Sequence, residues 1–342
     1  MFVGPRNAVQ LFYVASGFLI SYILTDKNTY PKVIDFYVNR ALRIYPIYLV
    51  VAILSLCAHV FILNGSFFDL YRQIPFSAGA FLMGSNLLLF GQDWTLFMTV
   101  DHGGLVFTSD FRTSPVALYR GLLVPQAWTL GIEFTFYAIA PFVLRRRKLL
   151  VALLLASIAL RGALMLFGPG LQDPWTYRFF PTELALFLLG ALSHQLLLPL
   201  YRRRSRPVVK LAARIATALL LTISVIYIDI PLPEMVKTAM LFATFVLLLP
   251  LAFLFQEEFS LDKWIGDLSY PIYIGHILVI FLVTDLAGRL GYANDKWITG
   301  GEIVLSIGFA MALNWAVGAR FEGIRNHFKR PAVIMLPAME RA

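Results

Sequence analysis

The chain has 342 residues, of which 59% are hydrophobic and 14% charged, and its formal net charge is +9 at pH 7. Soluble domains carry about 25% charged residues, and a soluble chain of this length could not bury so many apolar side chains, whereas lipid covers the outer face of a polytopic membrane protein. The single cysteine, Cys57, excludes a disulfide within the chain and any cysteine-based metal cluster.

Apolar runs of about 20 residues predict the helices that cross the membrane. Such runs lie at 8–24, 44–63, 127–144, 149–167, 180–199, 211–229, 236–255, 270–290 and 300–318. A further run at 76–90, FSAGAFLMGSNLLLF, is short for a full crossing and is predicted to be re-entrant or half-buried. No repeat or second soluble domain interrupts the pattern, so residues 1–342 are predicted to form one integral-membrane domain. The predicted fold class is an all-α polytopic transmembrane bundle of about nine to ten spans.

Lysine and arginine fall on one side of these predicted spans. The joining segments 25–43, 145–148 and 201–214 are basic, as is the tail 319–342, while the opposite joins carry few cations. The positive-inside rule therefore places the basic segments and the tail in the cytoplasm. The net charge is a membrane signal under this interpretation, and a nucleic-acid partner is not expected.

This orientation constrains the region between residues 76 and 126. The basic joins all fall on one side of the membrane only if that region makes no net crossing. Either the 76–90 run is therefore not a full span, or a second crossing near 104–125 accompanies it. The first predicted span must also run from the outside to the inside. That leaves the short start MFVGPRNA on the outer face with no span before it.

A carboxylate interrupts one of the predicted spans, in WTLGIEFTFYAIAPF. An ionised carboxylate at the centre of a bilayer costs about 2.5–3.5 kcal/mol on insertion scales. Thr129, Glu133, Tyr137 and Pro141 recur every four residues and therefore share one helix face. This stripe must face protein or a water-filled cavity. A structural glutamate satisfied by neighbouring helices is the alternative, but ionisable groups inside membranes mark functional sites by default, and we favour function.

A second carboxylate, Glu183, lies in YRFFPTELALFLLGAL, close to the predicted start of a helix. Pro181 suits the first helical turn, and the helix dipole favours an anion there. Arg178 is near enough along the chain to pair with Glu183. Helix capping with an interfacial ion pair and a role in the substrate cavity are equally supported by the sequence.

Two arginines one helical turn apart, Arg40 and Arg43, lie in FYVNRALRIYPIYL. Anchoring on the cytoplasmic side explains both without a ligand, and this is the favoured interpretation when the segment is taken alone. Two guanidinium groups at this spacing, with Tyr45 and Tyr48 just inside, also suit a phosphate-bearing cytosolic donor. The spacing alone leaves both interpretations open.

Histidine is the other candidate for acid–base chemistry. Three of the five histidines are expected to be structural: His59, His194 and His327. His276, in LSYPIYIGHILVI, lies about two turns into its predicted span, where it could face a cavity. His102 follows Asp101 and could form a base–orienter pair with it, although Gly103 and Gly104 argue equally for a turn. No metal-ligand spacing is present, and no metal site is predicted.

Five segments, taken together and in order, carry a resemblance to a known family. They are LFYVASGFLISYIL (11–24), FYVNRALRIYPIYL (36–49), AWTLGIEFTFYAIAPF (127–142), RFFPTELALFLLGAL (178–192) and IGDLSYPIYIGHILVI (265–280). The chain is similar in these segments to the acyltransferase 3 family of integral-membrane acyltransferases, which modify sugars and glycans. The resemblance covers nearly the whole chain.

The resemblance implies that an acyl group, usually acetyl, passes from a cytosolic acyl-CoA through the membrane to a hydroxyl of a glycan. Acyl-CoA would be a co-substrate, with no permanently bound cofactor, and the location would be a bacterial plasma (inner) membrane. The acceptor could be exopolysaccharide, lipopolysaccharide O-antigen, peptidoglycan or a smaller glycoside.

Individual residues match the motifs of the family. Arg40 and Arg43 match its basic motif, which implies contact with the donor phosphates. Trp128 and Glu133 match its Trp–Glu motif, and His276 matches a histidine common in its SYxIYxxH segment. Ser16, Gly17 and Phe18 match SGF, where small residues let helices pack closely. The expected site therefore has Trp128, Glu133, His276 and His102 as catalytic candidates, Arg40 and Arg43 on the donor, and Ser16, Tyr137 and Glu183 in the substrate cavity.

The sequence departs from the family at its start. The opening span of the family normally carries an arginine and, ten residues later, a histidine that is thought to be the catalytic base. Neither is found in this chain, where Arg6 precedes SGF but no histidine follows before His59. We expect the native start to lie upstream; an inactive remnant, or a substitute base such as His102, are the alternatives.

A transporter or flippase of a lipid-linked sugar is the rival class. Broken helices and charges at mid-membrane serve that function too, and the 76–90 run could be such a half-helix. The sequence shows no internal repeat and no pair of interrupted spans, which favours the enzyme.

Overall fold

The computed structural model describes residues 2–27, 29–63, 66–170, 172–256, 260–292 and 297–329. Within these ranges the chain is a bundle of α-helices with one short antiparallel hairpin. Eight helical segments are long and apolar enough to cross a membrane. The prediction of an all-α polytopic bundle is therefore confirmed. The end of the predicted basic tail, 330–342, lies outside the described residues.

The elements follow one another along the chain with short joins. The helices are α1 Gly4–Ser21, α2 Val33–Phe61, α3 Ser66–Gln73, α4 Phe76–Leu88, α5 Trp128–Val143, α6 Arg147–Phe167, α7 Phe180–Leu192, α8 Leu198–Arg202, α9 Arg206–Ile226, α10 Glu234–Gln256, α11 Ser260–Arg289, α12 Trp297–Leu313 and α13 Ala319–His327. The hairpin strands are β1 Met98–Asp101 and β2 Gly104–Phe107, with Met98 opposite Phe107 and Asp101 opposite Gly104.

Several helices extend further than their apolar runs. The predicted span 44–63 belongs to a helix that begins at Val33, because Asp35 accepts a hydrogen bond from the backbone N–H of Lys32 at 3.0 Å and so caps the polar first turn. The predicted span 270–290 likewise belongs to a helix that begins at Ser260. A search for apolar runs misses the charged first turns of these two helices, although their backbone is helical.

The region 76–126 makes no full crossing. Helix α4 has 13 residues, and at 1.5 Å per residue it spans about 20 Å, well short of the hydrocarbon core of about 30 Å. All of 104–125 is described, and it holds a strand, the 3₁₀ turn Leu118–Gly121 and the start of the 3₁₀ turn Pro125–Ala127, with no spanning helix. The structure thus has no helix long enough for a second crossing at 104–125, and the short helix α4 fits the other alternative.

Helix α5 carries the predicted site residues Trp128, Glu133 and Tyr137. Its 16 residues span about 24 Å. The 3₁₀ turn Pro125–Ala127 immediately before it adds about 6 Å. Helix and turn together therefore match the thickness of the hydrocarbon core, and we treat α5 as membrane-spanning.

Helices α1 and α7 pack closely, backbone against backbone. A Cβ atom on Gly17 would lie 1.9 Å from the carbonyl oxygen of Phe187, and one on Gly190 would lie 1.9 Å from that of Val14. Only glycine allows backbones this near to each other. The expectation that the small residues around Gly17 permit close helix packing is confirmed.

Three helices pass through a π turn, in which one extra residue widens the helix. The turns are Tyr22–Asp26 after α1, Ser193–Leu197 after α7 and Asn314–Gly318 between α12 and α13. All three lie where the chain leaves the bundle on the side of the basic joins. We call this side the basic end, defined by the joins 22–32, 144–146 and 203–205 and by α13.

Candidate functional site

Glu133 is buried in the middle of the bundle and held by two hydroxyl groups. Glu133 is only 4% exposed. Ser16 on α1 donates a hydrogen bond to Oε1 of Glu133 at 2.8 Å, and the hydroxyl of Tyr137, one turn along α5, donates to the same oxygen. Buried carboxylates require such partners. The spacing of four residues on α5 therefore places Glu133 and Tyr137 together, as predicted from the sequence.

Arg40 connects this carboxylate to the basic end. Its guanidinium carbon lies 5.8 Å from the ring centroid of Tyr137 and 5.7 Å from that of Phe36, within the range of cation–π attraction. Its Nη2 donates to the hydroxyl of Tyr30 at 3.3 Å. Glu133 is also close enough to both Arg40 and Arg43 for electrostatic attraction.

The structure thus brings five of the predicted site residues into one cluster, which we call the Glu133 cluster: Ser16, Arg40, Arg43, Glu133 and Tyr137. Arg43 is exposed at the edge of this cluster, whereas Arg40 is only 8% exposed and buried in protein. Anchoring in lipid headgroups explains an exposed cation. It does not explain Arg40, whose Nε atom finds no hydrogen-bond partner among the described residues.

Glu183 belongs to a separate buried cluster, and its predicted partner was wrong. Arg178 pairs with Asp173, Nε to Oδ1 at 2.8 Å. Arg161 on α6 pairs with Glu183 instead, at 2.9 Å, and Gln10 on α1 donates to both carboxylate oxygens at 3.1 and 2.9 Å. The partner comes from a neighbouring helix because the join before α7 carries Arg178 toward α5 and not toward the carboxylate.

Helix α1 contacts both carboxylates. Gln10 reaches Glu183 and Ser16 reaches Glu133, and their six-residue separation corresponds to about 9 Å along a helix axis. Between them, the fully buried hydroxyl of Tyr13 lies within electrostatic range of Glu183 and has no hydrogen-bond partner in the described part of the chain. The close packing at Gly17 therefore positions α1 against both buried acids.

Trp128 is the first residue of α5, at the end of the helix away from the join 144–146. Its ring lies under the guanidinium group of Arg178, 4.3 Å from centroid to carbon, and meets the ring of Tyr177 edge-on at 5.1 Å. Thr129 shares a 2.7 Å hydrogen bond with the hydroxyl of Tyr273 on α11. Trp128 is therefore fixed two turns or less from Glu133 but contacts a different set of side chains.

The two candidate histidines differ in position. His276 is half-buried on α11, with Nδ1 2.7 Å from the carbonyl oxygen of Tyr273, whose hydroxyl contacts the start of α5. His102 lies at the tip of the β1–β2 hairpin with a side chain that is 96% exposed, and its Nε2 is 3.7 Å from Oδ2 of Asp101. A ring that exposed cannot contact Glu133, so the structure does not bring His102 into the cluster, and the turn interpretation of Gly103 and Gly104 is correct.

Sequence reasoning missed Asp93, a buried carboxylate in the connection between α4 and α5. It is 2% exposed, burial raises its pKa to about 7, and its buried Oδ1 has no hydrogen-bond partner among the described residues. A Cβ on Gly131 would lie 2.7 Å from Asp93 Oδ1, so the glycine makes room for it beside α5. The apolar context of GQDW was the available signal. In the described ranges, no group of three or more metal-ligating side chains is found.

Comparison with known proteins gives the same family as the sequence motifs. A family model described as an acyltransferase domain, Acyl_transf_3, matches residues 6–319. The chain is 26% identical to a peptidoglycan O-acetyltransferase, OatA, of Listeria monocytogenes over 313 residues, which cover 83% of this chain and 46% of that protein. It is also 26% identical over 337 residues to nodulation protein 10 of Rhizobium leguminosarum bv. viciae, covering 93% of this chain and 81% of that protein.

The chain therefore spans about half the length of the Listeria relative and most of the length of the Rhizobium relative. No solved structure matches it. The family match extends across α1 to the start of α13 and includes every residue of the Glu133 cluster. The prediction from the sequence motifs is thus confirmed, and the chain belongs to the acyltransferase 3 family.

Proposed function

We propose that this protein moves an acyl group, most simply acetyl, from a cytosolic acyl-CoA to a hydroxyl of a cell-surface or secreted carbohydrate. The observation that carries the proposal is the chain of contacts from Arg40 at the basic end, through Tyr137, to Glu133 in the middle of the bundle. A transfer across a membrane needs polar groups at this depth, and these contacts supply them between the basic end and the middle of the bundle.

The reaction is an acyl transfer from a thioester to an alcohol. The acceptor oxygen bonds to the thioester carbonyl carbon, the carbon–sulfur bond breaks, and the released thiolate takes the proton that the hydroxyl loses. A general base that assists the loss of that proton contributes typically 10²–10⁴-fold. His276 is half-buried and connects to the start of α5 through Tyr273, and we assign it this role in preference to His102.

Glu133 acts in this scheme as a positioning residue. It accepts hydrogen bonds from Ser16 and Tyr137 through one oxygen and so fixes the angle between α1 and α5. Hydrogen bonds to a charged acceptor contribute about 1.5–3 kcal/mol each. This is enough to hold Ser16, Glu133 and Tyr137 in one arrangement.

The donor side would be the basic end. Arg40 and Arg43 present guanidinium groups there, and guanidinium binds phosphate through paired N–H donors. Coenzyme A carries its phosphates far from its thioester. The phosphates could therefore remain at the basic end while the acyl group reaches toward Glu133.

The relatives support a carbohydrate acceptor. The Listeria relative is named for O-acetylation of peptidoglycan. We propose by analogy a hydroxyl-bearing glycan as acceptor and a bacterial plasma membrane as location, with the basic joins in the cytoplasm.

Purified protein in lipid nanodiscs tests the proposal. With acetyl-CoA and a glycan acceptor, the wild type should release free thiol in proportion to glycan acetyl ester, and Glu133→Gln should lower this rate severely while the protein still inserts and purifies normally. Glu234→Gln is the matched control, because it makes the same change at an exposed carboxylate on α10. Wild-type activity in Glu133→Gln would remove Glu133 from the site, and counterflow of a lipid-linked sugar without thiol release would identify a transporter.

A further inference from the structure

Helix α13 forms one wall of a cavity at the basic end. The cavity has a volume of about 70 Å³ and lies between α2, α11, the π turn at Asn314–Gly318 and α13. Arg43, Asp267, Tyr270, Asn314, Glu322 and Arg325 contribute its polar lining. At roughly 30 Å³ per water molecule it has room for about two waters, which is far below the size of a pocket for a whole small molecule. It can hold one small polar group, with the rest of any ligand outside.

Buried contacts hold α13 against α2. Asn39 on α2 is fully buried, and its Nδ2 donates to the backbone carbonyl of Arg325 at 2.8 Å. Its Oδ1 accepts from Tyr30 at 3.0 Å, and Tyr30 in turn accepts from Arg40. One hydrogen-bonded chain therefore joins Arg325 to Arg40, a member of the Glu133 cluster.

Four cations meet at this place with too few anions. Arg325 and Lys329 both lie within electrostatic range of Arg40 and Arg43. Burial and the neighbouring guanidinium group of Arg325 lower the pKa of Lys329, which is the expected response of a cation among like charges. The acidic groups that face the four are Asp267 and Glu322 in the cavity wall, with Glu133 further in.

Two of these arginines also have unused donors. The Nε atoms of Arg40 and of Arg325 are buried, and neither has a hydrogen-bond partner within the part of the chain that the structure describes. Arg40 as a whole residue is 8% exposed. A buried guanidinium N–H without a partner is costly. Arg325 lines the cavity together with Arg43, so the unpartnered donor of Arg325 indicates that a ligand binds there.

We propose that α13 completes a binding site for the phosphate groups of the acyl donor, with Arg325 and Lys329 acting together with Arg40 and Arg43. The proposal rests on the proposed function, because it takes acyl-CoA as the donor, and it adds residues of the C-terminal helix to the two arginines of α2. A phosphate oxygen would accept a hydrogen bond from the unused Nε donor of Arg325 and offset the excess positive charge of the four cations. An anionic lipid headgroup offers the same chemistry, and the experiment must separate the two sources.

The test compares two donors that differ only in their phosphates. S-acetylpantetheine carries the same thioester as acetyl-CoA but no phosphate. With the full chain in phosphatidylcholine nanodiscs, kcat/KM is measured for each donor. The ratio of the acetyl-CoA value to the acetylpantetheine value should fall about tenfold or more in Arg325→Gln and by a smaller factor in Lys329→Gln, because each loses a charged contact to phosphate. Arg325→Lys should recover part of the ratio by restoring charge.

Arg320→Gln is the matched control. Arg320 lies on the same helix, is exposed and does not line the cavity, so its ratio should stay within twofold of the wild type. The backbone hydrogen bond from Asn39 to position 325 is kept in all of these variants, which protects the fold.

Three results would overturn the proposal. If the wild type prefers acetyl-CoA and Arg325→Gln keeps the ratio, the phosphate site does not include α13, while the proposed function stands. If the wild type uses neither donor, the proposed function fails and this inference fails with it. If phosphatidylglycerol raises the melting temperature, Arg325→Gln abolishes that effect and the donor ratio does not change, the ligand is a lipid headgroup.

Discussion

Replacing Gly17 with alanine gives the sharpest test of the packing that holds the candidate site. The new Cβ would lie 1.9 Å from the carbonyl oxygen of Phe187, whereas ordinary contacts begin at 3.4 Å. Helices α1 and α7 would therefore have to separate by about 1.5 Å. The opposing atoms belong to backbone, so no side-chain rotation can relieve the overlap.

The expected cost follows from the rigidity of both partners. Overpacking in a core costs about 1–3 kcal/mol where side chains can adjust, and a backbone clash should reach at least the upper value. A loss of about 3 kcal/mol corresponds to a fall in melting temperature of roughly 5–10 °C for a chain of a few hundred residues. Because Ser16 neighbours Gly17, the shift should also break its 2.8 Å hydrogen bond to Glu133 and lower acyl transfer.

The assay measures the melting temperature of purified protein, with unfolding monitored by size-exclusion chromatography and with Gly162→Ala as the control. Gly162 lies within α6, and a Cβ there would meet nothing within 4 Å. Alanine at this position should be neutral or stabilise the helix by up to about 1 kcal/mol. A Gly17→Ala protein that melts with the control would refute the close approach of α1 and α7.

Three further perturbations test other parts of the structure. Asp93→Asn should remove a pH dependence of stability, because the folded carboxyl has a pKa of about 7 and the unfolded one about 3.9. Wild-type stability should be full below about pH 4, fall as the pH rises to about 7 and then level off. The melting temperature of the variant should depend less on pH across that window, and equal pH profiles would contradict this. Arg161→Gln should cost about 3 kcal/mol, because it leaves the fully buried Glu183 without its ion pair, and unfolding midpoints should show Glu183→Gln to be milder. Tyr137→Phe should lower acyl transfer about 10- to 100-fold by removing one charged hydrogen bond without lowering the yield of folded protein; unchanged kcat/KM would show that this bond does not position Glu133.

Local patterns in the sequence were enough to predict part of the site. The four-residue period on α5 placed Glu133 and Tyr137 on one face, and the same reasoning joined Arg40 to Arg43. These predictions depend only on helix geometry, which is the same in every protein.

Contacts between distant segments could not be predicted in this way. Glu183 pairs with Arg161, 22 residues earlier and on another helix, while the nearer Arg178 turns toward Asp173 and Trp128. Which helices are neighbours is decided by packing over the whole bundle, and a single sequence gives no measure of it. The burial of Asp93 could not be predicted for the same reason, since Asp93 packs against Gly131 on α5.

The π turn at Asn314–Gly318 has a consequence for which side of α13 meets α2. Successive residues of an α-helix are about 100° apart around the axis, so one inserted residue rotates everything beyond it by that angle. Removing a single residue from this turn would preserve the charge and composition of α13, yet it would swing Arg325 a quarter-turn away from Asn39 and the cavity. The site at the basic end therefore depends on the number of residues in the π turn as much as on residue type, because that number sets the rotation of α13 about its axis.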